Sequence, residues 1–352
     1  MANRLREMSD LRPTLALLAE GHHLSAEQSQ EAFETIMSGA ADLAQMAAFI
    51  MALRVRGEQV DEIVGGARVL RAKADKIEAP SGHIDTCGTG GDGIGTYNIS
   101  TAAALVAAAA GAPVAKHGNR SVSSKSGSAD VLMSLGANLE MSKEANEESL
   151  RKFGFAFMFA PAHHKAMRHV APARASLQLR TIFNLLGPLA NPAQARRQVL
   201  GVFDRKWLRP MAEVLKKLGS EHVWVVHGSD GLDEVTTTGA THVAELKGGT
   251  INEFDIEPGD VGLTIANLDD LKGGDATVNA QAIRDLLAGK PSAYRDIVLM
   301  NTGAALVVAG KADSLNAGVT MGADVIDNGA AAHRLDEWVT FTQRHKPEPL
   351  DA

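Results

Sequence analysis

A chain of 352 residues exceeds what one hydrophobic core ordinarily organises, and 45% hydrophobic against 22% charged residues supplies a sizeable core and excludes a disordered polymer. A net charge of −7 argues against a nucleic-acid scaffold, which carries a basic excess. The single cysteine, Cys87, leaves no disulfide framework, Met1–Asp10 hold no apolar leader core, and the longest apolar run, Ala102–Ala112, is too short for a bilayer; a soluble cytoplasmic protein is expected.

In chain order, the segment up to about residue 75 predicts four short amphipathic helices. Leu11, Leu15 and Leu18 form one apolar stripe. Ser25 and Gln28 make a capping box ahead of Phe33, Ile36 and Met37, with Gly39 as the stop. Asp42 caps a helix carrying Met46, Phe49, Ile50 and Leu53, and a fourth runs near Val60–Ala74. Helices this short bury little alone, so they are expected to pack on a larger domain and on a second subunit, giving a homodimer.

Past Pro80 short apolar runs alternate with helical patterns, the signature of an α/β sheet with mostly parallel strands. Predicted strands are His83–Asp85, Pro113–Lys116, Phe155–Ala160, Gln198–Phe203, His222–Val226 and His242–Leu246. Predicted helices are Ser100–Ala110, Ser128–Leu135, Lys143–Phe153, Leu208–Leu218, Ala280–Ala288 and much of Ile297–Gln343. The fold class is therefore α/β: a small all-helical domain, residues 1–78 with a contribution from about 163–195, and a larger one, 79–162 and 196–352, with a central, mostly parallel mixed sheet flanked by helices. Pro188–Pro192 mark a crossing between them.

Three loops carry chemistry. Asp85–Thr101 (DTCGTGGDGIGTYNIST) runs from a strand through five glycines into a helix start, where close backbone approach and unpaired amides suit an anion. Gly88, Gly90 and Gly93 satisfy the dinucleotide spacing, but Lys116-His117 stand where a ribose-binding acid belongs. Asp92 would repel phosphate and suits ribose hydroxyls or an amide instead, and Cys87 has no activating base adjacent in sequence. Lys116–Asp130 (KHGNRSVSSKSGSAD) again follows a strand, with cations and hydroxyls for a second polyanion cradle. His227–Glu234 (HGSDGLDE) ends in Asp233-Glu234, adjacent carboxylates that suit Mg²⁺ sharing substrate phosphates. From Arg151 to Phe203 there is no Asp or Glu, which fits either an anionic ligand or a plain basic patch.

These segments, with Asn98–Thr101 and Arg180–Pro192 (RTIFNLLGPLANP), occur in an order that resembles the anthranilate phosphoribosyltransferase family over nearly the whole chain. The resemblance implies an Mg²⁺-dependent pentosyltransferase of tryptophan biosynthesis, homodimeric, with phosphoribosyl pyrophosphate and anthranilate as substrates and neither nucleic acid nor membrane as partner. It implies phosphoribosyl pyrophosphate contacts at Gly88, Gly91, Asp92, Thr96, Asn98, Ile99, Ser100 and Thr101. Lys116, His117, Gly118, Asn119, Arg120, Ser121, Val122, Ser123, Ser124 and Ser128 would wrap the phosphates. It implies Mg²⁺ at Ser100, Asp233 and Glu234, and anthranilate against Gly88, Asn119, Arg174, His117 and Pro188. Arg174 is preferred to Arg180 because it precedes the Arg-Thr-Ile-Phe-Asn segment by six residues. Gln178 replaces a glycine usual before that segment, and Tyr97 stands where phenylalanine is often found. His163, His164 and His169 have poor spacing for a metal and read as channel-lining or structural. A pyrimidine-nucleoside phosphorylase and a nucleic-acid-binding homologue are the rival readings; the acidic pair and the long second loop speak against the first, and the presence of the metal-site residues against the second.

Overall fold

The computed structural model describes residues 10–91, 93–120 and 125–346. The chain opens with helices α1 (Arg12–Ala19), α2 (Ala26–Met37), α3 (Leu43–Arg56) and α4 (Val60–Lys73). Their starts follow the sequence signals. Ser25 Oγ accepts from Gln28 N at 3.2 Å while Gln28 Oε1 accepts from Ser25 N at 2.9 Å, and Asp42 Oδ1 accepts from Ala44 N at 2.8 Å. Helices α2 and α4 cross in direct contact: a Cβ on Gly65 would lie 2.5 Å from the Ala26 carbonyl oxygen. The fully buried Glu62 carboxylate is held by Leu24 N and Gln59 N, each at 2.9 Å, and pairs with Arg56. Burial of that charge is tolerated because both its oxygens are engaged.

The rest alternates: β1 (Ile84–Gly88), α5 (Ile99–Ala109), β2 (Val114–Gly118), α6 (Ser128–Ser134), α7 (Lys143–Phe153), β3 (Phe155–Phe159), then the short α8 (Ala160–His163), α9 (Ala171–Leu177) and α10 (Ile182–Leu186). It continues through β4 (Arg197–Gly201), α11 (Leu208–Lys217), β5 (His222–Gly228), β6 (Thr241–Lys247), β7 (Thr250–Ile256), α12 (Ala276–Leu287), α13 (Ala293–Val308), α14 (Leu315–Asp327) and α15 (Ala330–Arg344). The sheet order is β3-β2-β1-β4-β5-β6-β7; the first five neighbours are parallel, and β6 and β7 are antiparallel additions. Strand β7 was not foreseen: its sequence TINEFDI is largely polar, and it pairs on one side only, so it lacks the continuous apolar run of a central strand.

The sheet separates two cores by strand alternation. Val199 and Val226 face α5 and α12–α15, and the alanine-rich α5 is buried almost all round between sheet and α13. Leu200, Val223 and Val225 face α11, and there the core runs without a break into Phe33, Phe49, Ile182 and Leu186. The N-terminal helices therefore complete the second face of the sheet, as their limited individual burial requires. Helices α9 and α10 pack on α3 and α4, so the 171–186 segment lies with the N-terminal helices. No helix among the described residues is long and apolar enough to cross a membrane.

Candidate functional site

The crevice lies where the strand order reverses. Strand β1 is flanked by β2 on one side and β4 on the other, so the loops leaving their C-terminal ends diverge and open a gap. Close approach builds its floor. A Cβ on Gly201 would stand 1.6 Å from the Asp233 carbonyl oxygen, and one on Gly88 2.3 Å from Asp233 Oδ2. Only glycine at these two strand ends lets the loop after β5 cross them.

That crossing brings the acidic pair onto the glycine run. Asp233 Oδ2 accepts from Gly90 N at 2.7 Å, and Glu234 Oε1 accepts from Ser100 N at 3.1 Å in the first turn of α5. The amides that the sequence marks as an anion cradle are thus met partly by the chain's own carboxylates.

Lys116, expected among the phosphate-wrapping residues, is 1% exposed and lies under α5, donating to the Thr86 carbonyl oxygen and, at 3.3 Å, to Ser100 Oγ. Its ammonium meets the loop from beneath. Strand alternation decides this: Lys116 and Thr86 share the α5 side, whereas Asp85, Cys87 and His117 face the opposite layer. Burial lowers the Lys116 pKa, opposed by the buried Asp85 carboxylate, whose own pKa burial raises. Asp85 accepts from His117 N at 3.2 Å and Asn191 Nδ2 at 2.7 Å, which fastens β1, β2 and the Pro188–Pro192 crossing to one buried group.

On that opposite side His117 packs against His164, ring centroids 5.0 Å apart and planes inclined by 58°. Burial lowers both: His164 to about 4, His117 well below the ordinary imidazole value. Both are neutral near pH 7, and their Nε2 atoms are buried without a hydrogen-bond partner among the described residues. The Pro188 carbonyl and Cys87 Sγ both contact Gln198 Nε2, at 2.8 and 2.9 Å. Burial pushes the Cys87 thiol well up, so it packs and does not attack. Arg174, on α9, lays its guanidinium 5.7 Å from the Phe183 ring centroid; burial lowers its pKa, and no carboxylate pairs with it among the described residues.

The two phosphate-type loops are tied together. Asn98 Nδ2 donates to the Ser126 carbonyl at 3.2 Å, and Thr101 Oγ1 donates to Ser128 Oγ at 3.0 Å. Ile99 is 1% exposed and anchors the helix start, and Gly118 sits against the Phe157 ring, where a Cβ would come within 2.7 Å. Exposed Asn119 accepts from Arg120 N at 2.8 Å. Arg120 is not brought into the cluster: its guanidinium stands 5.8 Å over Phe159 and contacts Met133 Sδ. Asp92, Ser121, Val122, Ser123 and Ser124 lie outside the described residues.

Sequence reasoning missed several supports. The segment Leu271–Gly274 pairs with the glycine run, through Thr96 bridged to Lys272, Tyr97 N to Leu271 O at 3.0 Å and Gly273 N to Gly95 O at 3.0 Å. Arg180 donates to the Gly91 carbonyl and lies 4.7 Å over the Phe203 ring. The paired glycines 273–274 were the one local signal. Gln178 is also explained: it is the left-handed C-cap of α9, φ 50°, a conformation glycine adopts without cost.

Comparison with known proteins agrees with this geometry. Residues 81–332 match the family model described as the glycosyl transferase family a/b domain, and residues 12–74 match that family's helical bundle domain. An anthranilate phosphoribosyltransferase of Rhodospirillum rubrum is 59% identical over 333 residues, 95% of this chain and 96% of that protein. One from Parvibaculum lavamentivorans is 57% identical over 335 residues, 95% of this chain and 98% of its own. The crystal structure of the Thermus thermophilus anthranilate phosphoribosyltransferase superposes with a TM-score of 0.89 at 43% identity, covering 94% of this chain and 99% of that one. The Saccharomyces cerevisiae protein, in complex with PRPP and Mg, gives a TM-score of 0.86 at 27% identity over 94% and 98% of the two chains.

Proposed function

This chain belongs to the anthranilate phosphoribosyltransferase family, and from that premise we propose how its crevice divides the work. The reaction transfers the 5-phosphoribosyl group of phosphoribosyl pyrophosphate to the anthranilate amine, giving N-(5-phosphoribosyl)anthranilate and pyrophosphate, a step of tryptophan biosynthesis.

The donor substrate belongs on the side of Gly88, Gly91, Asp92, Thr96 and Asn98–Thr101, with Gly118–Ser124 and Ser128 closing over its phosphates. The observation that carries this is the convergence of Asp233 and Glu234 on the amides of Gly90 and Ser100. It sets the Asp233 carboxylate on the glycine run and the Glu234 carboxylate on the helix start that carries the Ser100 hydroxyl, oxygen donors of the kind that fit Mg²⁺. Among the described residues no group of three or more His, Cys, Asp or Glu could hold a metal. A pair of acids suits Mg²⁺ that completes its shell with water and substrate phosphate. When bound, that ion neutralises the charge developing on the departing pyrophosphate. Lys116 supports the same turn from below, donating to Ser100 Oγ at 3.3 Å.

The acceptor belongs against Arg174, Asn119, Gly88, His117 and Pro188. Arg174, half-buried on Phe183 and paired with no carboxylate among the described residues, is suited to the carboxylate of anthranilate. The imidazoles of His117 and His164 are neutral, so they add no charge to that wall. An aryl amine is neutral at pH 7 and attacks C1 of the ribose without a strong base, so alignment and leaving-group stabilisation remain the protein's tasks.

A second copy of the chain is proposed to cover α3, which is apolar on both faces and leaves Val55 80% and Leu43 52% exposed. A cytoplasmic setting fits the lone, unpaired Cys87. Continuous anthranilate fluorescence with phosphoribosyl pyrophosphate and Mg²⁺ tests the function: metal-dependent loss of signal is expected, and no loss at saturating substrates refutes it.

A further inference from the structure

Asn279 lies on α12, 1% exposed, in a helix whose interior disfavours asparagine. A buried carboxamide is tolerated only where its donors and acceptor are engaged. Its Oδ1 accepts from Gly274 N at 2.8 Å, and its Nδ2 donates to Asn98 Oδ1 at 2.9 Å. Asn98 Nδ2 in turn donates to the Ser126 carbonyl at 3.2 Å. A backbone N–H only donates and a backbone carbonyl only accepts, so the orientation of both carboxamides in this chain is fixed from its two ends.

We infer that Asn279 is a positioning residue for the donor substrate, holding Asn98 so that the glycine run and the Lys116–Asp130 loop keep a set separation before the phosphates arrive. The inference rests on the donor-side reading above. Two neighbours act on the same residue. Tyr294, 3% exposed, donates its hydroxyl to the Asn98 carbonyl at 3.2 Å and packs its ring 4.5 Å from that of Tyr97. Gly273 leaves room for the relay: a Cβ there would meet Asn279 Oδ1 and the Thr96 carbonyl, each at 2.8 Å. Asn279, Asn98, Ser126 and Tyr294 are none of the residues assigned to the acceptor, so failure of the relay should show chiefly in the donor substrate.

Asn279→Asp keeps the acceptor toward Gly274 N and removes the donor to Asn98. Asn98 then either faces another acceptor or turns over and loses Ser126. Steady-state fluorescence kinetics on the full chain should give a KM for phosphoribosyl pyrophosphate raised about 5- to 10-fold, the loss of one buried hydrogen bond. The anthranilate KM and kcat should stay within about twofold. Asn98→Ala should raise the same constant, and the double variant should be no worse than Asn98→Ala alone, because Asn279 acts through Asn98. An unchanged KM in N279D that melts like the wild type, or effects that multiply in the double variant, would overturn the inference. Should N279D fail to fold, Tyr294→Phe removes one hydroxyl only; about a twofold to threefold rise in the same constant is expected, and no rise refutes the relay. A wild-type protein without metal-dependent turnover refutes the donor-side reading itself, whereas an active wild type beside unaffected variants refutes only the relay.

Discussion

Arg174 and the histidine pair show what single side chains contribute. A guanidinium half-buried on Phe183, with no carboxylate partner among the described residues, is desolvated at a cost that an incoming carboxylate offsets. Arg174→Ala should lower kcat/KM for anthranilate by about one to two decades, the equivalent of roughly 1.5–3 kcal/mol, with the phosphoribosyl pyrophosphate KM unchanged; unaltered anthranilate kinetics would reject that role. His164 makes a different prediction. Its folded pKa of about 4 lies below the ordinary imidazole value of 6.5, so between those limits the unfolded chain binds more protons. Stability is therefore fully present above about pH 6.5 and falls as pH drops toward 4, by up to ~1.4 kcal/mol per pH unit. Urea midpoints measured from pH 7 to 4.5 should fall at least that steeply, since burial lowers His117 in the same sense, and His164→Phe should make the slope shallower without abolishing it. Lys116 marks where residue-scale reading stopped short, since the sequence told that a cation stands near the end of a strand but not that its ammonium lies under α5.

Helix ends, strand ends and turns set the next scale. The left-handed Gln178 that closes α9 strains a residue bearing a Cβ. Gln178→Gly should stabilise the protein by about 0.5–1 kcal/mol after the entropy that glycine adds to the unfolded chain. That appears as a rise of about one to two degrees in thermal midpoint; a fall would mean the glutamine side chain makes a contact that matters more than the backbone. At the end of β4 the opposite holds. Gly201→Ala sets a methyl against the Asp233 carbonyl, so the acidic loop must move. A loss of about 3 kcal/mol or more in stability is expected, with reduced turnover at limiting Mg²⁺; wild-type behaviour in both would show that the loop does not depend on that contact. The element boundaries were largely legible, because capping boxes, glycine stops and apolar periods are written within a few residues of one another. Strand β7 and helices α9 and α10 were not, being polar or shorter than three turns.

For the whole molecule, the N-terminal helices and one face of the sheet share a core, and the other face is covered by α5 and α12–α15. The outer face of α3 is among the apolar surfaces left exposed, and Val55→Asp should convert a species of twice 37.1 kDa into monomer in sedimentation at micromolar concentration; a wild type that sediments as monomer removes the proposed contact. By itself the sequence determined the α/β class, the three loops and the family, since each rests on residues close together along the chain. Only the tertiary structure decided which atoms meet. Asp233 reaches Gly90 across 143 residues, Glu234 reaches Ser100 across 134, and Asn279 reaches Asn98 across 181. Those encounters follow from strand order, from the side of the sheet each residue faces and from glycines that admit close approach, and no pattern of neighbouring residues encodes the three together.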